Sequence, residues 1–254
     1  MQEAITKLEA VRGKILEIIE VFYNDQRSFK RKANYAGLVN DNYNYIKGVI
    51  RTAKGTQIPE EEFEKHLQEV ILPYSTSNAF TWESKDFMVG ALARMNLNKH
   101  RINKRTFKDC VKYLKIFPSD SIFNNNLAQA IETLHGCDLS IDILKDLIVS
   151  IKNEKPIEFQ VKAGIGVGVV EAPRGILYHR LDIDDKGNII KAEFIIPTQQ
   201  NIIHLEKDIA KYVEQLLKQN VDKEKISLKV EEMIRAYDPC MSCATHFLKI
   251  DWED

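Results

Sequence analysis

The segment 176–196 constrains this chain most. Two runs, LYHRLDI and IIKAEFII, alternate in polarity around Asp184-Asp185-Lys186-Gly187-Asn188. Period-two alternation on both sides of a Gly/Asn/Asp cluster predicts an antiparallel β-hairpin. The change of character begins after Pro156, where residues 157–196 become rich in Val, Ile, Gly and Phe. Those residues suit a pleated, half-buried surface. On either side of this block, apolar residues recur at helical spacing instead. The expected fold class is therefore α+β, predominantly helical, with a small antiparallel β region at about 157–196.

Taken in order, residues 1–25 predict an amphipathic helix, with Ile5, Leu8, Val11, Ile15, Ile18, Ile19 and Phe22 on one face. A looser polar stretch runs from about Asp25 to Gln57. Pro59-Glu60-Glu61-Glu62 reads as a helix start, because proline suits the first turn and acids suit the positive dipole end. Leu72-Pro73-Tyr74 would end that helix. Residues 73–98 look ordered but irregular, and the small residues of Gly90-Ala91-Leu92-Ala93 permit close backbone packing. Helical patterns follow at Ile122–Leu134 and Ile141–Ile151, then at 202–219 and 223–236. Gly164-x-Gly166-x-Gly168 lacks the G-x-G-x-x-G spacing of a dinucleotide loop. Its alternating glycines are expected to thin one face of a strand so that something packs on the backbone. With no repeat, low-complexity stretch or long linker, 1–254 is expected to be a single domain. Residues 1–155 would be mainly helical, 156–201 β-rich and 202–254 helical again.

Composition narrows the function. There are 36 basic and 37 acidic side chains, a formal net charge of -1. That balance speaks against nucleic acid as a partner. No apolar run approaches the roughly 20 residues of a membrane span, and Met1-Gln2-Glu3-Ala4 lacks the layout of a secretory signal. Four cysteines in 254 residues make no disulfide scaffold. These features point to a cytoplasmic protein.

The chemistry concentrates near the C-terminus, in Asp238-Pro239-Cys240-Met241-Ser242-Cys243-Ala244-Thr245-His246. Two thiols three apart can reach one metal, and thiolates select soft cations such as Zn, Cu(I), Ni or Fe. A structural zinc site would need another C-x-x-C or H-x-x-x-H pair, and the sequence has none. A c-type haem site needs histidine where Ala244 stands. A thioredoxin-like pair belongs at the start of a helix after a strand, whereas Pro239 places this pair after a helix end. The other candidates, His135, Cys110 and Cys137, sit among apolar neighbours and read as core residues.

D-P-C-M-S-C-A-T-H resembles the C-terminal D-P-C-x-x-C-x-x-H motif of the large, catalytic subunit of nickel–iron hydrogenases. Glu171-Ala172-Pro173-Arg174-Gly175, followed by Leu177-Tyr178-His179, resembles that family's E-A-P-R-G segment. Pro197-Thr198-Gln199-Gln200-Asn201 resembles its P-T/S-x-x-N segment. Residues 72–98 are similar to its middle section, although Asn78 stands where lysine is common. The four blocks lie in the family's order over 72–246. The A-T-H ending and the P-T-Q-Q-N form look most like the cytoplasmic, cofactor-linked branch.

The resemblance implies a hydrogenase large-subunit-like fold and a set of roles. Cys240 would be a terminal nickel ligand and Cys243 the bridge to iron. The cofactor would be a Ni-Fe centre whose iron carries CO and cyanide. His246 would bind a separate Mg or Fe ion. Arg174 would overhang the metals, with Asp238 paired to it; Pro173 would lie beside the iron ligands, and Thr198 would donate to a cyanide. Splitting H2 needs an electrophile, a base and fixed donors. The base would be a metal-held thiolate or Arg174 acting unconventionally, and the sequence leaves both open.

One departure matters. The family's N-terminal R-x-C-x-x-C, which supplies the other two nickel ligands, does not occur here, nor do its N-terminal glutamates. Three arrangements fit. In the first, the chain is the C-terminal half of a split large subunit, and its partners are a polypeptide carrying R-x-C-x-x-C, an iron–sulfur small subunit and further electron-transfer subunits. In the second it is a non-catalytic, hydrogenase-like scaffold in an electron-transfer complex. In the third the pair holds zinc between subunits. Retention of Cys240 and Cys243 together with Arg174, Asp238, Thr198 and His246 favours the first.

Overall fold

A computed structural model describes residues 1–75, 77–151 and 155–244. Its longest elements are helices. Helix α1 (Gln2–Tyr23) buries Ile5, Ile15 and Ile19, as its spacing requires. It packs along α4 (Asn124–Ser150), with α3 (Lys104–Leu114) beside them. Arg12 of α1 reaches into this contact, donating to the two Asp138 carboxylate oxygens at 2.7 and 3.1 Å. Helices α5 (Pro197–Lys218) and α6 (Lys223–Tyr237) complete the helical core, which includes Leu92, Leu127, Ile131, Leu134, Tyr212 and Met233.

The second core belongs to small antiparallel sheets. Strands β6 (Gly164–Ala172), β7 (Gly175–Ile183) and β8 (Ile189–Ile195) form one sheet in that order. The hairpin expected at 176–196 is β7–β8. Its turn is closed by the Asp184 carboxylate, which accepts from the Lys186 and Asn188 amides at 2.9 and 2.8 Å. The sheet begins at Gly164, so residues 157–163, expected within the β region, carry no strand. The thinned face also differs from expectation. A Cβ added at Gly164, Gly166 or Gly168 would meet nothing within 4 Å.

Two expectations before residue 72 need correction. The polar stretch 25–57 contains strands β1 (Ala36–Val39), β2 (Val49–Thr52) and the start of β3 (Gln57–Ile58), an antiparallel meander. Four-residue runs are too short for a period to register, yet all four β1 residues are buried. The helix expected after Pro59 is one 3-10 segment, Glu60–His66, with only Phe63 buried. Phe63, Leu67, Val70 and Ile71 would make an apolar helical stripe, but pairing with a later strand overrides it. The chain turns instead into β4 (Leu67–Val70), paired with β5 (Ala79–Trp82). A third difference is continuity: the two patterns at 122–134 and 141–151 belong to one helix, α4. The gap between them hid its core face because His135 and Asp138 are buried there as polar residues.

Between the two cores lies α2 (Ala91–Asn98), whose first five residues are all buried. The expected tight packing at Gly90–Ala93 is observed. Gly90 has φ +110°, and a Cβ there would lie 2.9 Å from the carbonyl oxygen of Arg174. No helix among the described residues is long and apolar enough to cross a membrane.

Candidate metal centre

Three separate segments meet at one end of α2. The first is the tip of the β6–β7 hairpin. Ala172 pairs with Gly175, leaving Pro173 and Arg174 as the two loop residues. The second is the first turn of α5. Proline at its start lacks the N–H that a first turn cannot use, so Thr198 is held at a defined position on the helix entry. The third is the end of α6. Asp238 caps it in the left-handed conformation, with φ 51° and ψ 53°. Pro239 prevents continuation, and a single turn, α7 (Met241–Ala244), then carries the thiols.

The predicted site residues come together. Arg174 donates from Nε to the Asp238 carbonyl at 2.7 Å and from a terminal nitrogen to the Asp238 carboxylate at 3.0 Å. The other carboxylate oxygen accepts from Gln129 of α4 at 2.9 Å. The Cys240 amide donates to Thr198 Oγ1 at 3.2 Å. Cys240 Sγ and Cys243 Sγ lie 2.6 Å apart, and neither cysteine is in a disulfide. The hydrogen bond between them is the first cause of two opposite shifts, the Cys240 pKa lowered and that of Cys243 raised. By contrast Cys110 and Cys137 are buried, as expected, and burial pushes Cys110 up to about 12. His135 is a core residue too. His246 lies outside the described residues.

Asp238 faces two cavities. One, of about 500 Å³, is also lined by Arg174, Thr198, Ile202, Tyr237 and Met241. The other, of about 550 Å³, is lined by Tyr45, Arg94, Glu132, Glu171 and Pro173. Behind the site the anchors are polar and buried. Tyr237 donates to Asp208 at 2.6 Å, and Asp208 also accepts from Arg31. Asn201 brackets Val89, accepting from its amide at 2.9 Å and donating to its carbonyl at 3.3 Å. Asn125 accepts from the Leu92 amide at 3.0 Å and donates to the Ala236 carbonyl at 2.8 Å. The α2 entry is thereby tied to all three motif segments.

Sequence reasoning missed Arg94, Glu132, Asn125 and Gln129, and gave Glu171 no role. Their only outward signal was the small-residue run before Arg94, which marks a place where backbones approach closely.

The donor set suits a soft cation. Two sulfurs three residues apart project on one side of a single turn, with a guanidinium and a hydroxyl fixed nearby. No group of three or more His, Cys, Asp or Glu forms a metal cluster among the described residues. The described residues supply two thiols here, fewer than the four ligands of a closed tetrahedral site.

Comparison with known proteins shows the family. The sequence profile of the nickel-dependent hydrogenases matches residues 4–246. The chain is 29% identical over 210 residues to the sulfhydrogenase 1 alpha subunit of Pyrococcus furiosus, covering 83% of this chain and 48% of that one. It is 31% identical over 225 residues to the beta subunit of the NAD-reducing hydrogenase HoxS of Cupriavidus necator, covering 82% and 46%. The fold superposes on an NAD+-reducing NiFe hydrogenase in the H2-reduced state with a TM-score of 0.75 at 21% identity, covering 95% of this chain and 58% of that one. The chain thus spans about half the length of the relatives it matches.

Proposed function

The chain belongs to the nickel-dependent hydrogenase family, and from that premise we propose that it supplies the C-terminal half of a hydrogenase catalytic subunit that reversibly splits H2. Cys240 and Cys243 would be two of the four thiolates that hold nickel, Cys243 serving also the iron that carries CO and cyanide, and His246 would hold a separate Mg or Fe ion. A partner polypeptide bearing R-x-C-x-x-C supplies the remaining thiolates. An iron–sulfur small subunit and further electron-transfer subunits take up the electrons, in the cytoplasm.

The observation that carries this reading is the convergence of Arg174, Thr198 and Asp238 on one thiol pair. Arg174 and Thr198 stand 66 and 42 residues before Cys240 in the sequence. That the relatives are named as subunits supports a multi-chain setting.

A bound Ni-Fe centre supplies the electrophile that polarises H2. The chain's own residues do the rest. Arg174 brings a guanidinium's positive charge beside the thiols. Asp238 orients that charge through two hydrogen bonds and keeps the ion pair neutral overall. Thr198 accepts the Cys240 amide, which leaves its own hydroxyl hydrogen able to donate; by the resemblance that donation would go to a cyanide, and Pro173 would lie beside the iron ligands.

Metal analysis of the complex co-purified through this chain tests the proposal. Stoichiometric nickel is expected, lost in Cys240→Ser and in Cys243→Ser. A stable complex without nickel, with both thiols intact, would sink the enzymatic reading and leave the scaffold reading in its place.

A further inference from the structure

Arg94 lies on α2, away from the thiols, and is buried. A guanidinium has five N–H donors, and Arg94 uses every one. Nε and one terminal nitrogen donate to the two Glu132 oxygens, each at 2.6 Å. The other terminal nitrogen donates to Glu171 at 2.6 Å and to the Ala172 carbonyl at 3.1 Å. The fifth bond goes to the Pro173 carbonyl at 3.0 Å. Each carboxylate is held from a second side: Glu171 accepts the Leu38 amide at 2.6 Å and Glu132 accepts the Tyr43 hydroxyl at 2.8 Å. Burial works against the Arg94 charge, but Glu132 and Glu171 outweigh it and raise its pKa.

The two carbonyls are the informative contacts. They belong to residues 172 and 173, directly before Arg174 at the hairpin tip. Both bonds are only part-buried, and Arg94 gives each of these two carbonyls a donor from below. Gly90 supports the next carbonyl by lacking a Cβ that would stand 2.9 Å from the Arg174 oxygen. The tip is thus held at three consecutive residues, and Arg174 extends from it to Asp238, two residues before Cys240.

We propose that Arg94 is the positioning residue of the metal site: its fork on Ala172 and Pro173 sets where Arg174 stands over the Cys240–Cys243 pair. This deepens the proposed function and rests on the role given there to Arg174, but the positioning itself is measurable without turnover. A lysine would keep the charge between Glu132 and Glu171, yet its single ammonium cannot span two carboxylates and two carbonyls.

The test is amide hydrogen exchange in the full chain, for Arg94→Lys, Arg174→Gln and the double variant. Arg94→Lys is expected to speed exchange about tenfold, the scale of one lost charge-assisted bond, at both 172–175 and 238–243, with α1 unchanged. Arg174→Gln speeds exchange at 238–243 alone. In the double variant the 238–243 rate equals that of Arg174→Gln, because Arg94 acts through Arg174. Unchanged exchange at 238–243 in Arg94→Lys, or factors that multiply in the double variant, would overturn the proposal. A second arm uses Arg94→Ala, which leaves room for a free cation beside the second cavity. Guanidinium at millimolar concentration restores slow exchange at 238–243 and ethylammonium does not; equal rescue by both would show that charge alone matters and would refute the fork. If Arg94→Ala does not fold, the Arg94→Lys cycle decides alone. Loss of nickel or H2 turnover in the wild-type complex would remove the functional reading and leave these exchange results standing.

Discussion

Gly175→Ala tests the architecture of the site at its tightest point. Gly175 has φ +133°, where L residues rarely go. A Cβ there would lie 2.3 Å from Val89 Cγ2, 2.7 Å from Val89 Cβ and 3.0 Å from the Gly90 amide nitrogen. Val89 cannot retreat, since it is buried and Asn201 brackets its amide and carbonyl. Strain at such a backbone position costs about 1–3 kcal/mol, and overpacking a close-packed neighbour costs about 1–3 kcal/mol more. Together they predict about 4 kcal/mol of destabilisation. For a chain of this size each kcal/mol moves Tm by about 2–4 °C, giving a fall of about 8–16 °C. Gly166→Ala is the control, because it sits in a strand with nothing within 4 Å of the added methyl. There the loss of glycine's freedom in the unfolded chain makes alanine neutral or stabilising by up to about 1 kcal/mol. Thermal unfolding of both variants in one buffer decides. A Gly175→Ala Tm within about 2 °C of wild type, on the scale above, would refute the close contact; so would equal falls in both variants.

Two further outcomes are expected. His135 Nδ1 accepts the Asn103 amide at 2.9 Å and its Nε2 faces the Tyr43 carbonyl at 3.0 Å, so the neutral ring fits the site and burial lowers its pKa below 6.5. The unfolded chain then binds a proton that the folded chain refuses. The His135 contribution to stability is full above pH 6.5 and is lost as pH falls from there toward the folded pKa. Urea unfolding at pH 7.5 and 5.5 should show a steeper acid loss in wild type than in His135→Gln; equal slopes would count against the assignment. In a thiol-reagent titration at pH 8, the native chain should react rapidly at Cys240 and Cys243 and slowly at Cys110 and Cys137, which are buried. Prompt reaction of all of them would contradict the fold.

Much of this site was legible because its motifs are short and chemically loaded. The C-x-x-C spacing points to Cys240 and Cys243 and the resemblance points to Pro173, Arg174, Thr198 and Asp238; hydrogen bonds join Arg174 to Asp238, Thr198 to Cys240 and Cys240 to Cys243. The long helices were legible because α1, α5 and α6 each present one apolar stripe over several turns. Short strands were not: β1 and β2 have four residues each, and their burial depends on partners distant in sequence. The buried supports were hidden for a related reason. Arg94, Glu132 and Asn125 look like solvated helix residues in the sequence. They are buried because each satisfies another's charge or an orphaned backbone group, and such pairings have no local signature.

This division of labour bears on how the site is assembled. Among the described residues, the contacts that orient Arg174, Asp238 and Thr198 all come from this chain: Arg94 and Gly90 under the hairpin tip, Gln129 and Asn125 from α4, Asn201 from α5. These contacts fix the three side chains through packing and hydrogen bonds within this chain. Groups held in place by packing lose little further freedom when a ligand binds, which favours affinity and a single geometry. The thiols differ. Cys243 is exposed and Cys240 only partly covered, on a helix of one turn. The frame is buried and the two thiols are its accessible part.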